Sequence, residues 1–281
     1  MRHTEGTFQG YQELELYTQC WLPGGKSRAA LVLAHGYGDH SGRYSRVVEA
    51  LVPRGYAVYA FDQRGNGRSP GQRGWVKEWK EYREDLRLFL DHVGRQAGEL
   101  PLFLWGSSVG GLLALEYAMH YPAGLAGVIA SGPTLAPVGI SPFLRWLGRV
   151  LSNILPRVSV NARLDATGIS RDPAVVAAYR NDPLVHNLGT PRLSTEIAAA
   201  MERAHANAGE LKLPLFMLFG QEDRIAPPHR NREFFDNVSS PDKEIHEYAG
   251  GYHEPHNDIH SARVLGDIEH WLSRHLQAGQ A

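Results

Sequence analysis

Ser108 is the central residue of a Gly-x-Ser-x-Gly pentapeptide, with Gly106 and Gly110 two positions to either side. A serine on a tight turn between a buried strand and a helix needs small residues at these two positions, because larger side chains would clash. The apolar run Leu102–Trp105 precedes the pentapeptide, and an apolar helical pattern follows it. This context predicts that Ser108 is a nucleophile, whereas the adjacent Ser107 has no such flanking pair.

A serine hydroxyl is a weak nucleophile at neutral pH and needs a general base, which an acidic side chain must orient. Asp223 follows the apolar run LFMLFG, and His253 lies on a loop after the last predicted strand. The chain order Ser, Asp, His is typical of Gly-x-Ser-x-Gly enzymes built on a parallel sheet. Asp223 is therefore the predicted acid and His253 the predicted base, with Glu222 and His256 as the alternatives.

Such a nucleophile also needs hydrogen-bond donors for the oxyanion of a tetrahedral intermediate. One donor in these enzymes is the backbone N–H after the nucleophile, here Val109, and the other comes from the loop after an early strand. That loop is His35–Tyr44, HGYGDHSGRY, and the N–H of Tyr37 is the predicted second donor. Asp62 and Arg64 lie in the loop after the next strand. We expect their side chains to hydrogen-bond that second loop to the His35–Tyr44 loop.

Two other motifs point to different chemistry, and both are incomplete. His253–His256, HEPH, resembles part of the zinc motif H-E-x-x-H, but its second histidine comes one position early and Pro255 would break the helix. Gly65 and Gly67 have the first spacing of a dinucleotide-binding G-x-G-x-x-G motif, but Pro70 stands where the third glycine belongs. We therefore predict no metal and no cofactor.

Composition excludes several classes of protein. The chain has 281 residues, of which 43% are hydrophobic and 21% charged, as in an ordinary globular protein and unlike a disordered chain. The formal net charge of -1 lacks the basic surplus of a nucleic-acid binder. Cys20 is the single cysteine, which excludes an intrachain disulfide, and the N-terminus lacks the apolar core of a signal peptide. We expect a cytoplasmic protein.

Short apolar runs alternate with amphipathic helical patterns along most of the chain. Continuous apolar runs are typical of parallel strands buried on both faces. The predicted strands are Ala29–Ala34, Tyr56–Phe61, Leu102–Trp105, Gly127–Ser131, Leu215–Gly220 and Lys243–Tyr248, with antiparallel edge strands in Tyr11–Leu22. The predicted helices are Tyr44–Val52, Trp79–Val93, Leu112–Tyr121, Pro228–Asn237 and Ala262–Leu276. This alternation indicates an α/β fold with a mostly parallel sheet and helices on both faces.

The alternation stops between about Thr134 and Glu210, where the sequence is helical and shows no clear strand. We predict that residues 1–134 and 210–281 form one core. Residues 135–209 are then an inserted helical cap over the carboxyl ends of the strands, where open α/β sheets bind ligands.

Six segments together resemble the monoacylglycerol lipase group of serine α/β-hydrolases. They are HGYGDHSGRY, DQRGNGRSPGQRG, GSSVGG, FGQEDRIAP, GYHE and, in the insertion, ISRDPAVVAAYRNDPLVH. The similarity runs from about Leu14 to Leu276. It implies the α/β-hydrolase fold with a helical cap, and it assigns the same roles as the motifs do to Ser108, Asp223, His253, Tyr37 and Val109. The chain departs from the family's usual GHSMGG at Ser107 and Val109.

The resemblance implies hydrolysis of the ester bond of a monoacylglycerol, a lipid, to fatty acid and glycerol through an acyl-enzyme. A lysophospholipase whose cap arginines bind the phosphate, or a broad-specificity carboxylesterase, is the alternative. A further alternative is a ligand-binding protein that has the same fold but does not turn over a substrate.

The cap segment Phe143–Val158 has apolar residues at helical spacing, with Arg145 and Arg149 on the other face. It is either a helix packed on the core or a lid that lines the acyl channel or rests on a membrane surface. The candidate substrate-binding residues are Phe143, Trp146, Leu147, Val150 and Tyr179.

Overall fold

A mostly parallel sheet runs through the centre of the computed structural model, which describes residues 1–137, 141–162 and 165–278. The strands of this part of the chain are β1 (Arg2–Gln9), β2 (Glu15–Leu22), β3 (Ala29–Ala34), β4 (Tyr56–Phe61), β5 (Leu102–Ser107), β6 (Gly127–Ser131), β7 (Val160–Asn161), β8 (Leu188–Gly189), β9 (Leu215–Gly220) and β10 (Lys243–Tyr248). The sheet has eight of them in the order β1-β2-β4-β3-β5-β6-β9-β10, and β7 and β8 form a separate antiparallel ribbon. Strand β2 pairs antiparallel with β1 and with β4, and the other pairs are parallel.

Helices cover both faces of the sheet. They are α1 (Ser45–Leu51), α2 (Lys80–Ala97), α3 (Val109–His120), α4 (Pro142–Ile154), α5 (Pro173–Asn181), α6 (Pro191–Ala206), α7 (Pro228–Asn237) and α8 (Ser261–Ala278). Because β3, β4 and β6 are buried along their whole length, each face carries its own apolar core. One core contains the apolar faces of α2, α3 and α6, and the other those of α1 and α8.

The predicted parallel strands are all present, and the first, second, fourth, fifth and sixth have the predicted bounds. The expectation for Tyr11–Leu22 was partly wrong, because Tyr11–Glu13 is a 3-10 turn and only β2 comes from this segment. Its partner is Arg2–Gln9, which is polar and exposed except for Phe8 and so shows no apolar pattern. The insertion was expected to have no strand, but it contains the ribbon of β7 and β8, each two residues long.

The segment between β6 and β9 is hydrogen-bonded to loops at the carboxyl ends of the strands. The N–H of His186 donates to the carbonyl of Gly38, after β3, and the N–H of His253, after β10, donates to the carbonyl of Gly168. The Thr190 hydroxyl donates to the carbonyl of Gly74. These contacts place the segment over the edge of the sheet where Ser108 lies. The boundaries between this segment and the core, at residues 134 and 209, stay a prediction.

The three helices that the structure describes in this segment begin in the same way. Each has an N-cap side chain followed by a proline at the first helical position, where the missing N–H costs nothing. The caps are Ser141, Asp172 and Thr190. Among the residues that the structure describes, no helix is long and apolar enough to cross a membrane.

Candidate active site

Ser108 occupies the turn from β5 into α3 with φ 57° and ψ -121°, a backbone conformation that is unfavourable for a residue with a side chain. The surrounding contacts hold it there. A Cβ on Gly106 would lie 2.1 Å from the carbonyl oxygen of Gly110, and a Cβ on Gly110 would lie 2.1 Å from that of Ala34. The two glycines therefore let the turn pack against itself and against the end of β3, and the turn presents Ser108 above the sheet.

His253 bridges Ser108 and Asp223. Its Nε2 atom lies 2.8 Å from the Oγ of Ser108, and its Nδ1 atom lies 2.8 Å from Oδ2 of Asp223. The other carboxylate oxygen of Asp223 accepts the N–H groups of Ile225 and Ala226, both at 2.8 Å, so the carboxylate is fixed. With the Nδ1 proton held by Asp223, Nε2 is left to accept the serine proton.

The electrostatics favour charge separation along this chain of hydrogen bonds. Burial of His253 acts to lower the pKa of its imidazole, but the charge and the hydrogen bond of Asp223 outweigh burial and raise that pKa above its usual value. The structure brings together the three side chains predicted from the sequence because β5, β9 and β10 end at the same edge of the sheet.

The alternative acid and base lie elsewhere. Glu222 is exposed to solvent. His256 is buried, with its ring stacked on Tyr44 at 5.4 Å and perpendicular to Trp105 at 5.5 Å. Burial lowers the pKa of His256 to about 4, so it is a neutral packing residue.

The two candidate oxyanion donors flank Ser108. Val109 is the first residue of α3, and its N–H belongs to the helix-start groups that have no acceptor within the helix. On the other side, a Cβ on Gly36 would lie 3.0 Å from the Cβ of Ser108, so the peptide between Gly36 and Tyr37 passes beside the nucleophile. The Tyr37 hydroxyl donates to the carbonyl of Leu188 at 2.7 Å, so its side chain supports β8.

The family of this chain follows from comparison with known proteins. A family model described as serine aminopeptidase, S33, matches residues 25–260. The chain belongs to this family. A monoacylglycerol lipase of Mycolicibacterium smegmatis is 36% identical over 97% of this chain and 98% of its own length. The human monoglyceride lipase is 29% identical over 95% of this chain and 89% of its own length.

Solved structures agree with this placement. A monoacylglycerol lipase of Paleococcus ferrophilus has a TM-score of 0.86 and 37% identity, with 93% of this chain and 100% of that one covered. A soluble variant of the Saccharomyces cerevisiae monoglyceride lipase, bound to a substrate analog, has a TM-score of 0.86 and 26% identity, with 96% and 94% covered. The α/β-hydrolase fold and the resemblance to the monoacylglycerol lipase group are confirmed.

A buried ion network joins the His35–Tyr44 loop to the loop that carries His253. The sequence did not indicate this network. Arg43 donates to Asp39 at 3.0 Å and to both carboxylate oxygens of Glu254 at 3.0 and 2.8 Å. Its guanidinium also lies over the ring of Tyr179 at 4.7 Å. Burial alone would raise the pKa of Glu254, but Arg43 lowers it to about 2. Glu254 directly follows His253, so this network sets the spacing of the two loops.

The expectation for Asp62 and Arg64 was half right. Asp62 accepts the N–H of Ser41 at 2.7 Å and thereby supports the His35–Tyr44 loop. Arg64 instead pairs with Asp85 of α2 at 2.6 Å and with Glu81, away from that loop. Among the described residues, no group of His, Cys, Asp and Glu side chains is arranged to hold a metal ion.

A cavity of about 30 Å³ opens beside Ser108 and His253. The charged side chains that line it are Asp39, Arg43 and Glu254, and Tyr179 forms part of its wall. Tyr179 also borders a larger polar cleft of about 270 Å³. A space of about 30 Å³ holds one or two water molecules and leaves no room for a fatty acyl chain.

Of the five candidate substrate-binding residues, the structure places Tyr179 at this cavity and the other four elsewhere. Phe143 and Trp146 are 65% and 57% exposed, and their rings stack on each other at 5.9 Å. Leu147 and Val150 are half-buried on α4, which packs against α6. A role of these four in substrate binding stays a prediction, because helical spacing shows which residues share a face and not what that face meets.

Proposed function

We propose that this chain is a serine hydrolase that cleaves the ester bond of monoacylglycerols to fatty acid and glycerol. The observation that carries the proposal is the hydrogen-bonded series Ser108, His253 and Asp223, with both distances at 2.8 Å. The substrate class rests on the similar lipases of bacteria, archaea and eukaryotes that cover nearly the whole chain. The carboxylic ester hydrolase activity predicted from the sequence is thus the activity that we assign.

Each side chain has a defined role in this reaction. Ser108 Oγ attacks the ester carbonyl while His253 Nε2 takes its proton, and His253 then gives that proton to the departing glycerol oxygen. Asp223 holds the imidazole in the required tautomer. The backbone N–H groups of Tyr37 and Val109 stabilise the oxyanion, a contribution typically worth about 3 kcal/mol for one donor. Water then hydrolyses the acyl-enzyme by the same route.

The charges around the site favour a neutral alcohol over a phosphate. The cavity beside Ser108 is lined by two carboxylates, Asp39 and Glu254, and by Arg43, whose guanidinium is already paired with both. In the larger cleft, Arg180 stands with Asp165 and Asp182. A head-group phosphate would therefore meet an excess of negative charge in both places, whereas glycerol hydroxyls can donate to these carboxylates. This supports a monoacylglycerol rather than a lysophospholipid.

The acyl chain requires a movement of the cap, residues 135–209, because the cavity beside Ser108 is too small for it. Helix α4 and the residues after it carry large apolar side chains in contact with solvent, an arrangement suited to a lipid surface. They are Phe143, Leu144, Trp146, Ile154, Leu155, Val158 and Val160. We therefore propose that this face makes peripheral contact with the membrane or lipid aggregate from which the substrate is taken.

A direct comparison of substrates tests the proposal. Turnover is measured on 1-monooleoylglycerol and on lysophosphatidylcholine with the same acyl chain, using the native chain and Ser108→Ala. We expect faster hydrolysis of the monoacylglycerol, no hydrolysis by Ser108→Ala, and labelling of Ser108 by a fluorophosphonate in the native chain. Activity that survives in Ser108→Ala contradicts the mechanism, and faster turnover of the lysophospholipid contradicts the substrate.

A further inference from the structure

Thr134 follows β6 and brings a second hydroxyl to the nucleophile. Its Oγ1 atom lies 3.2 Å from the Oγ of Ser108. Its backbone is held as well, because the N–H of Thr134 donates to the carbonyl of Ser108 at 3.1 Å and the N–H of Ser108 donates to the carbonyl of Ser131 at 2.9 Å. Two backbone hydrogen bonds thus fix the distance between the two hydroxyl groups.

The segment before Thr134 packs closely against His253, the general base. Gly132 has φ 49°, and a Cβ there would lie 2.7 Å from the carbonyl oxygen of His253. Its N–H donates to the carbonyl of Leu218 in β9 at 2.8 Å. Only a glycine fits this position without a shift, so the chain from Ser131 to Thr134 is held in one place beside the three site residues.

The direction of the hydrogen bond between the two hydroxyls follows from proton counting. Ser108 has one hydroxyl proton, and His253 Nε2 at 2.8 Å takes it when the imidazole acts as base. Thr134 must then be the donor, and a lone pair of Ser108 Oγ the acceptor.

We propose that Thr134 is a further catalytic residue, which assists the departure of Ser108 from the acyl-enzyme. The inference rests on the acyl-enzyme mechanism proposed above. In that step water has added to the acyl carbon and given a proton to His253. The bond from carbon to Ser108 Oγ then breaks, its electron pair returns to Oγ, and His253 Nε2 gives its proton to that oxygen. The fatty acid leaves with the oxygen of water.

The contribution of Thr134 differs between the two halves of the reaction. Before attack, Ser108 Oγ is a hydroxyl oxygen and already accepts the bond, so the interaction changes little on the way to the transition state. In the acyl-enzyme Oγ is an ester oxygen, which is a poor acceptor, and it gains negative charge only as the bond breaks. The hydrogen bond therefore strengthens in the transition state of deacylation, which is the condition for acceleration.

Two substitutions separate the hydroxyl group from the methyl group of this side chain. Thr134→Val removes the hydroxyl and keeps the shape, and Thr134→Ser keeps the hydroxyl. Stopped-flow hydrolysis of a 4-nitrophenyl ester gives the burst rate for acylation and the later rate for deacylation. We expect Thr134→Val to slow deacylation about tenfold, the usual value of one hydrogen bond, and to change acylation less than about twofold. The acyl-enzyme should accumulate on Ser108 in intact-mass spectra, and Thr134→Ser should match the native chain.

Three results would overturn the inference: unchanged deacylation in Thr134→Val, equal slowing in Thr134→Ser, or equal slowing of both half-reactions. Thr134→Ala, a second variant without the hydroxyl, replaces Thr134→Val if valine disturbs folding. Fluorophosphonate labelling of Ser108 separates the two proposals. Its absence in the native chain contradicts the proposed function, whereas normal labelling with unchanged deacylation in the variant contradicts the role of Thr134 alone.

Discussion

Replacement of Arg43 by methionine tests the buried ion network. The side chains of Arg43 and Glu254 are 10% and 9% exposed, so the substitution leaves two carboxylates, Asp39 and Glu254, buried without their cation. Loss of one partner of a buried pair typically costs roughly 3–5 kcal/mol of unfolding free energy. The pKa of Glu254 points the same way, because Arg43 holds it below its usual value and thereby stabilises the folded state at neutral pH.

The pH dependence has a definite sign. Because the folded-state pKa of Glu254 lies below its unfolded value, its contribution is complete above about pH 5 and disappears as the pH falls toward 2. In Arg43→Met the carboxylate is buried without a cation, which raises its pKa. Acidification from pH 7 to 5 should then stabilise Arg43→Met relative to the native chain.

Arg46→Met is the matched control, three positions further along the chain. Arg46 pairs with Asp172 at 2.8 Å and donates to the carbonyl of Asn257 at 3.0 Å, but the Arg46 and Asp172 side chains are 34% and 24% exposed, so we expect a loss of only about 1 kcal/mol. Urea unfolding followed by tryptophan fluorescence at pH 7 and pH 5 measures both variants. Equal losses in the two variants, or a loss below about 1 kcal/mol in Arg43→Met, would refute the reasoning.

Three further predictions concern the reaction. Asp223→Asn should lower kcat on a 4-nitrophenyl ester by about 10³–10⁴-fold, because the carboxylate that holds the imidazole in the required tautomer is lost. Glu222→Gln should leave kcat unchanged. The kcat/KM of the native chain should fall at acid pH with a midpoint above 6.5, because Asp223 raises the pKa of His253 and only the neutral imidazole is a base. In Asp223→Asn the midpoint of this pH profile should move down. Phe143→Ala combined with Trp146→Ala should reduce sedimentation with phospholipid vesicles and leave hydrolysis of a short soluble ester unchanged; equal vesicle binding would contradict a role of this face.

The parts of the fold that the sequence predicts best are those set by local pattern. Strands such as Tyr56–Phe61 have their predicted bounds because a continuous apolar run buried on both faces ends where the sheet ends. The turn at Ser108 is equally local, since the glycines two positions away decide whether it can form. Asp223 and His253 follow because parallel topology brings strand ends together.

What the sequence missed depends on contacts between distant positions. Arg43 and Glu254 are 211 positions apart, and neither belongs to a motif that indicates pairing. Thr134 reaches Ser108 only because the strand after the nucleophile's helix returns beside β5. The apolar spacing of α4 predicts a helix correctly, but Phe143 and Trp146 face solvent because α6 covers only part of that helix. Packing partners of this kind depend on the whole fold.

The segment between β6 and β9 contains two parts that are attached to the rest of the chain in different ways. The part around α5 is tied to the core by a hydrogen bond between His40 and Asp182 at 2.9 Å and by two ion pairs, Arg46 with Asp172 at 2.8 Å and Arg171 with Asp258 at 2.9 Å. It also holds the ring of Tyr179 against Arg43.

Helix α4 is attached differently, by packing against α6. Its Ser152 hydroxyl bonds to that of Thr195 in α6 at 2.9 Å, and Arg149 lies 4.0 Å from Glu202 with both side chains exposed. An exposed pair at this distance contributes about 0–1 kcal/mol. Displacement of α5 would break its contacts with the His35–Tyr44 loop and with Asp258, whereas displacement of α4 would break its packing against α6. The residues that line the cavity beside Ser108 include Ile169 and Tyr179 and none from α4, so we expect the acyl chain to be admitted by movement of the segment around α5.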